Sequence, residues 1–268
     1  MMAKNHLIMA AGVTSAISLA VPDLRDLPPL IVGIMVGSLF PDMDTYYNGH
    51  PSERSGSSGS DTITSSSARI THALKPVTTV LSHTLSDISG GHRKGPTHSP
   101  IGILAEGSIL YLLAHTSSVG AIAIGAFLCV LFMRSVLPYR NSHGILRGPM
   151  AVMIGIALGY WLSPLYLLLI LSFVVGNFVH VLSDLPCGHI PWGWPISPYR
   201  SHIEWFKVNT ATEYRIGHIV AALTFLLIVL SVFAHVPELR ALLTHQQNLS
   251  VLQQIHLPAL NHLSFLHL

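Results

Sequence analysis

His180 and Asp184 stand four residues apart in GNFVHVLSDL, a spacing that sets both side chains on one face of a helix about one turn apart. An imidazole nitrogen and a carboxylate oxygen placed that way can share a divalent ion, or the aspartate can fix the tautomer of the histidine. Two further carboxylates, Asp42 and Asp44, occur in LFPDMD, and two further imidazoles, His92 and His98, in GGHRKGPTHSP. His6 lies near the N-terminus in NHLIMA. Such donors suit zinc first, with manganese or iron as alternatives. The chemistry they permit is metal-assisted hydrolysis, because a bound ion brings the pKa of water from ~15.7 towards ~7. His6, Asp42, Asp44, His98, His180 and Asp184 are the candidate ligands. Asp42 or Asp44 can also bridge two ions or act as general base. His92 is a candidate proton carrier or further ligand, and Arg93 can hold a phosphate or carboxylate through its planar fork.

The residues around this set have simpler roles available. Thr97 and Ser99 are hydroxyl caps for a helix starting near Pro100. Glu106 is the one acid inside an apolar run, where charge is costly and functional by default. It follows His98 by eight residues, about 80° around a helix, so it is expected to support the ligands from behind rather than to bind. No acid stands at a spacing that would make Ser99 a nucleophile.

The elements that must carry these residues are apolar. Half of the residues are hydrophobic and only 10% are charged, with a mean hydropathy of +0.54, which excludes an ordinary soluble domain. The strongest runs, 118–137, 165–183 and 217–236, are each near the ~20 residues needed to cross ~30 Å of hydrocarbon. Shorter runs at 6–21, 29–41, 100–115 and 149–163 are thin spans, re-entrant segments or buried helices. The fold expected is all-α: a polytopic membrane bundle of about five to seven transmembrane or re-entrant helices. If the seven runs cross or re-enter in pairs, all fourteen Lys and Arg except Arg25 and Arg240 fall on one side. The positive-inside rule makes that side cytoplasmic, with the N-terminus. His6, Asp42, Asp44, His98, His180 and Asp184 all sit at run ends on this same face.

Residues 1–236 form one expected domain, interrupted at 51–67 by a flexible Ser/Gly-rich insertion, and 237–268 form a C-terminal tail. Residues 68–89 regain apolar residues at helical spacing and read as an amphipathic segment on the membrane surface or over the bundle. Cys129 and Cys187 suggest neither a disulfide framework nor a CxxC metal site.

Several of these motifs carry a resemblance. His6-Leu7, FPDMD at 40–44, the GHR and THS pieces of 91–99, and GNFVHVLSDL followed by PWGWP at 176–195 resemble, in order, the motifs of the YdjM-like family. Its members are described as LexA-binding, inner membrane-associated, metal-dependent hydrolases. The resemblance implies a location in the bacterial cytoplasmic (inner) membrane and a hydrolytic metal centre. This chain departs from the family pattern at Phe40 and Thr45, the latter where a histidine is common, and by one extra residue between Arg93 and Thr97.

The function expected is therefore hydrolysis of an ester or phosphoester, with an anionic lipid as the candidate substrate and no nucleic-acid partner. The cytoplasmic rim of Arg93, Lys94, Arg200 and Lys207 with Trp192, Trp194 and Trp205 suits such an amphiphile. A divalent-metal transporter and a non-catalytic membrane scaffold are the alternatives. The first predicts ligands near mid-membrane on broken helices, and the second tolerates loss of metal.

Overall fold

The structure is a computed structural model, and it describes residues 3–43, 80–81, 84–85, 87–88, 95–136, 144–197, 201–203, 205–206 and 210–236. Among the described residues the seven apolar runs form helices: α1 (Ala3–Ser18), α2 (Leu27–Gly37), α3 (Pro100–His115), α4 (Ser118–Val136), α5 (Gly144–Leu162), α6 (Tyr166–Asp184) and α7 (Ala211–His235). The expected all-α fold holds, apart from a two-residue antiparallel pairing of β1 (His189–Ile190) with β2 (Ser201–His202).

Helix boundaries follow local chemistry. α2 starts at a Pro-Pro pair, whose ring geometry suits the first helical turn. α3 is capped by Ser99, whose Oγ accepts from the Gly102 amide at 3.0 Å, and Pro100 takes the first position inside. α5 and α6 meet at a single 3-10 turn, Ser163–Leu165.

Two stretches among the described residues are long and apolar enough to cross a membrane, Pro149–Asp184 and Ala211–His235. Pro100–His115 and Ser118–Met133 are apolar but shorter. At 11 residues α2 extends only about 16 Å, too little to span alone. Among the described residues, therefore, two stretches reach spanning length, against the five to seven transmembrane or re-entrant helices expected.

Packing is pairwise: α2 lies against α6, α4 against α5 and α1 against α7, with α3 leaning on α4 and α6. Small residues let backbones touch. A Cβ on Gly37 would collide with the Phe173 carbonyl, and one on Gly176 with the Ile34 carbonyl. Close approach of this kind is how helices associate where the surroundings are as apolar as the side chains. The main core joins Val32 and Val36 of α2, Leu39 and Phe40 beyond it, Leu128 and Leu131 of α4, and Leu169 and Phe173 of α6. Leu85 is buried in this core with Leu81 against it, while Val80 and Ile88 are exposed, so this part of the amphipathic segment lies over the bundle.

Candidate metal centre

The buried face of α6 runs through Leu169, Phe173, Gly176, Asn177, His180, Ser183 and Asp184. It is largely apolar in its first half, where Ser172 is the buried polar residue, and polar in its last turns. Those polar residues remain buried because three other segments close over them.

α2 supplies the first. Its glycine contact with α6 brings the Ser38 carbonyl to 2.7 Å from His180 Nδ1, and the following turn sets Asp42 Oδ1 3.5 Å from His180 Nε2. The 3-10 turn Pro96–His98 supplies the second: His98 is fully buried, edge-on to the His180 ring at 5.2 Å between centres and 72° between planes. α1 supplies the third. His6 stacks on His180 at 4.0 Å and 17°, with its Nε2 3.4 Å from Asp184 Oδ1. Asp184 Oδ2 stands 3.4 Å from His180 Nε2.

Hydrogen bonding fixes which nitrogens face inward. A carbonyl only accepts, so His180 Nδ1–H donates to Ser38, and in its neutral form the ring presents the Nε2 lone pair to the carboxylates. Ser183 Oγ donates to the His180 carbonyl at 2.7 Å, so it accepts from His6 Nδ1, and His6 likewise turns a lone pair towards Asp184. Thr97 Oγ1 holds His98 Nδ1 at 3.0 Å. Each imidazole thus has an outer partner on Nδ1, as metal-ligating histidines do.

The inner atoms fit a cation. Among the described residues the Nε2 atoms of His6 and His180 make no hydrogen bond, although both are buried. Their separations from the carboxylate oxygens exceed the ~2.7–3.2 Å of an N–H···O bond. They match the roughly 3.3–3.5 Å between neighbouring ligand atoms on a tetrahedral ion with bonds of about 2.0–2.2 Å. One ligand atom from each of Asp42, His98, His180 and Asp184 lies within 4.8 Å of all the others. Two buried carboxylates also need compensating positive charge, which a divalent ion would supply.

The structure therefore brings His6, Asp42, His98, His180 and Asp184 together. Asp44, His92 and Arg93 lie outside the described residues, as do Lys94, Arg200, Lys207, the 51–67 insertion and the 237–268 tail. Ser99 caps α3 and Thr97 orients His98. Glu106 is not in the metal-binding group, and its carboxylate oxygens are shielded within the bundle two turns along α3. Trp192 is partly buried against the small core of Ile103, Val181 and Ile190, whereas Trp205 is 77% exposed. Sequence reading missed Ser38, which acts through its backbone, and Ser183, whose only signal is its place between His180 and Asp184. It also passed over Glu213, a fully buried acid in the first turn of α7 that accepts from Asn5 Nδ2 at 3.1 Å, next to His6.

No curated protein and no solved structure matches the chain. The profile of a family described as YdjM inner membrane protein matches residues 1–243, and the chain belongs to that family.

Proposed function

We propose that this chain is a multi-pass inner-membrane hydrolase with its N-terminus in the cytoplasm, and that its His/Asp centre binds a divalent ion, zinc first, to cleave an ester or phosphoester of an anionic lipid. The observation that carries the reading is the convergence of Asp42, His98, His180 and Asp184 within 4.8 Å at one end of the helices. The starts of α1 and α3 and the end of α6 meet there, where a lipid headgroup would reside. Ligands gathered at a helix end, rather than on broken helices at mid-membrane, favour an enzyme over a transporter.

The ion would supply Lewis acidity, polarising the ester oxygen and lowering the pKa of water from ~15.7 towards ~7. The protein does the rest. Ser38, Thr97 and Ser183 hold the imidazoles in their inward-facing tautomers. The Asp42 side chain is 12% exposed while those of His180 and Asp184 are fully enclosed, so Asp42 faces the open side. It is the group placed to take the proton of an attacking water. Asp44 and His92 are assigned to the same proton traffic, and Arg93 to the anionic part of the substrate.

The test is metal analysis of the full chain purified in detergent, followed by turnover of vesicles containing phospho- and carboxyl-ester lipids. Bound metal and turnover, both lost in Asp184→Ala and His98→Ala, support the reading. Metal-free wild-type protein overturns it. Metal that accumulates inside vesicles without hydrolysis assigns the chain to transport.

A further inference from the structure

Asp184 faces two different imidazoles with its two oxygens: Oδ1 is 3.4 Å from His6 Nε2, and Oδ2 is 3.4 Å from His180 Nε2. The question is whether both rings can serve one ion. Two imidazoles bound through Nε2 to one tetrahedral ion, with metal–nitrogen bonds of about 2.0–2.1 Å, hold their ring centres about 5.2 Å apart, and a right-angled pair still needs about 4.5 Å. His98 and His180 meet this condition, at 5.2 Å and nearly perpendicular. His6 and His180 do not, being stacked at 4.0 Å and nearly parallel. Parallel rings at that distance suit two neighbouring ions, since paired metals in hydrolytic sites lie ≈ 3.5–4 Å apart. A carboxylate between them can give one oxygen to each.

We propose that the centre is dinuclear, with Asp184 bridging a first ion held by Asp42, His98 and His180 and a second ion held on its other oxygen by His6. This rests on the metal reading above and goes beyond it. The inward tautomer of His6, fixed by Ser183, is what a ligand needs, and its buried Nε2 makes no hydrogen bond among the described residues. Two divalent ions against Asp42 and Asp184 leave positive charge in excess, which selects an anionic substrate such as a phosphoester over a neutral one. The second ion also gives the chemistry a place for each of the attacking and leaving oxygens.

The experiment is titration of the metal-stripped full chain with Mn²⁺, read by elemental analysis and by electron paramagnetic resonance. Two ions per chain are expected in the wild type, with a spin-coupled spectrum at two equivalents. His6→Ala is expected to bind one ion and to show the six-line signal of an isolated Mn²⁺. One ion in the wild type with no coupled signal at any loading overturns the dinuclear centre and leaves the single-ion reading standing. One ion in the wild type and none in His6→Ala also overturns it, by making His6 a ligand of the single ion. No binding in the wild type overturns both. The wild-type titration decides the matter alone if His6→Ala fails to fold, and His6→Asn provides a second variant of similar size.

Discussion

At the residue scale the centre depends on groups that never need to touch a metal. Ser183 Oγ accepts a hydrogen bond from His6 Nδ1–H and donates one to the His180 carbonyl, so it sets the tautomer of one ring while bracing the turn that carries the other. Replacing Ser183 with Ala leaves that proton without its acceptor and lets the ring rotate. Metal affinity is expected to fall 10–100-fold, as for other outer partners of metal-binding histidines, with helix content unchanged by circular dichroism. Competition against a fluorescent chelator measures this, and an unchanged affinity removes Ser183 from the account. Asp184 is a harsher case. Asp184→Asn keeps the shape but not the charge, and is expected to lose all bound metal, read by elemental analysis. The candidate ligands were legible in the sequence because acids are few, 12 in 268 residues, and because these histidines and aspartates stood at run ends. Their outer partners were not legible: a backbone carbonyl at Ser38 has no side-chain signature, and Ser183 is one serine among many.

At the scale of elements, the pairing of α2 with α6 positions the site. Gly37 touches the backbone of α6 at Phe173 and Asn177, one residue before the Ser38 carbonyl and three before His180. Gly37→Ala must push the helices apart, at a cost of about 1–3 kcal/mol for overpacking, and must carry Ser38 away from His180. Both a lower melting temperature and at least tenfold weaker metal binding are expected. Gly159→Ala provides the contrast. A Cβ there would collide with the Ala126 backbone between α4 and α5, away from the ligands. It should lower the melting temperature comparably and leave metal stoichiometry unchanged. Equal effects of the two variants on metal binding would show that the α2–α6 contact has no special role. Helix existence was legible here from apolar runs, yet boundaries moved. The run 29–41 closes as a helix at Gly37, because the residues beyond it turn to aim Asp42. The run at 149–163 belongs to a helix that begins at Gly144 and carries Pro149 inside it. Which helices pair was not legible, since the glycine contacts join segments far apart in sequence.

At the scale of the whole molecule, the centre ties the N-terminal helices to α6, and α7 is tied in turn to α1. Asn5 meets Glu213 at one end of that second pair, and Ser18 meets Ser231 at the other, where His235 also reaches the Val21 carbonyl at 2.9 Å. Among the described residues, little else covers the apolar length of α7. An ion held by the His/Asp cluster would add a link between α2, the turn before α3, and α6. Metal should therefore act as a stabiliser: at a free ion concentration of 100 Kd the gain is ≈ 2.7 kcal/mol. Chelation of the purified protein is expected to lower its melting temperature reversibly, with Mn²⁺ or Zn²⁺ restoring it and Mg²⁺ doing so poorly. A melting curve indifferent to chelator would separate the cluster from stability.

His6 and Ser183 are 177 residues apart in the chain, and Asp42 and His98 fall between them. Translation and membrane insertion proceed from one end to the other, so the early histidine waits through most of synthesis for its carboxylate. Until α6 has been inserted the cluster lacks His180 and Asp184, and the first helices hold only part of the donor set. Metal loading would then report that α6 has been inserted. Chains arrested before Asp184 leaves the insertion machinery should be metal-free, and chains released just beyond it should load.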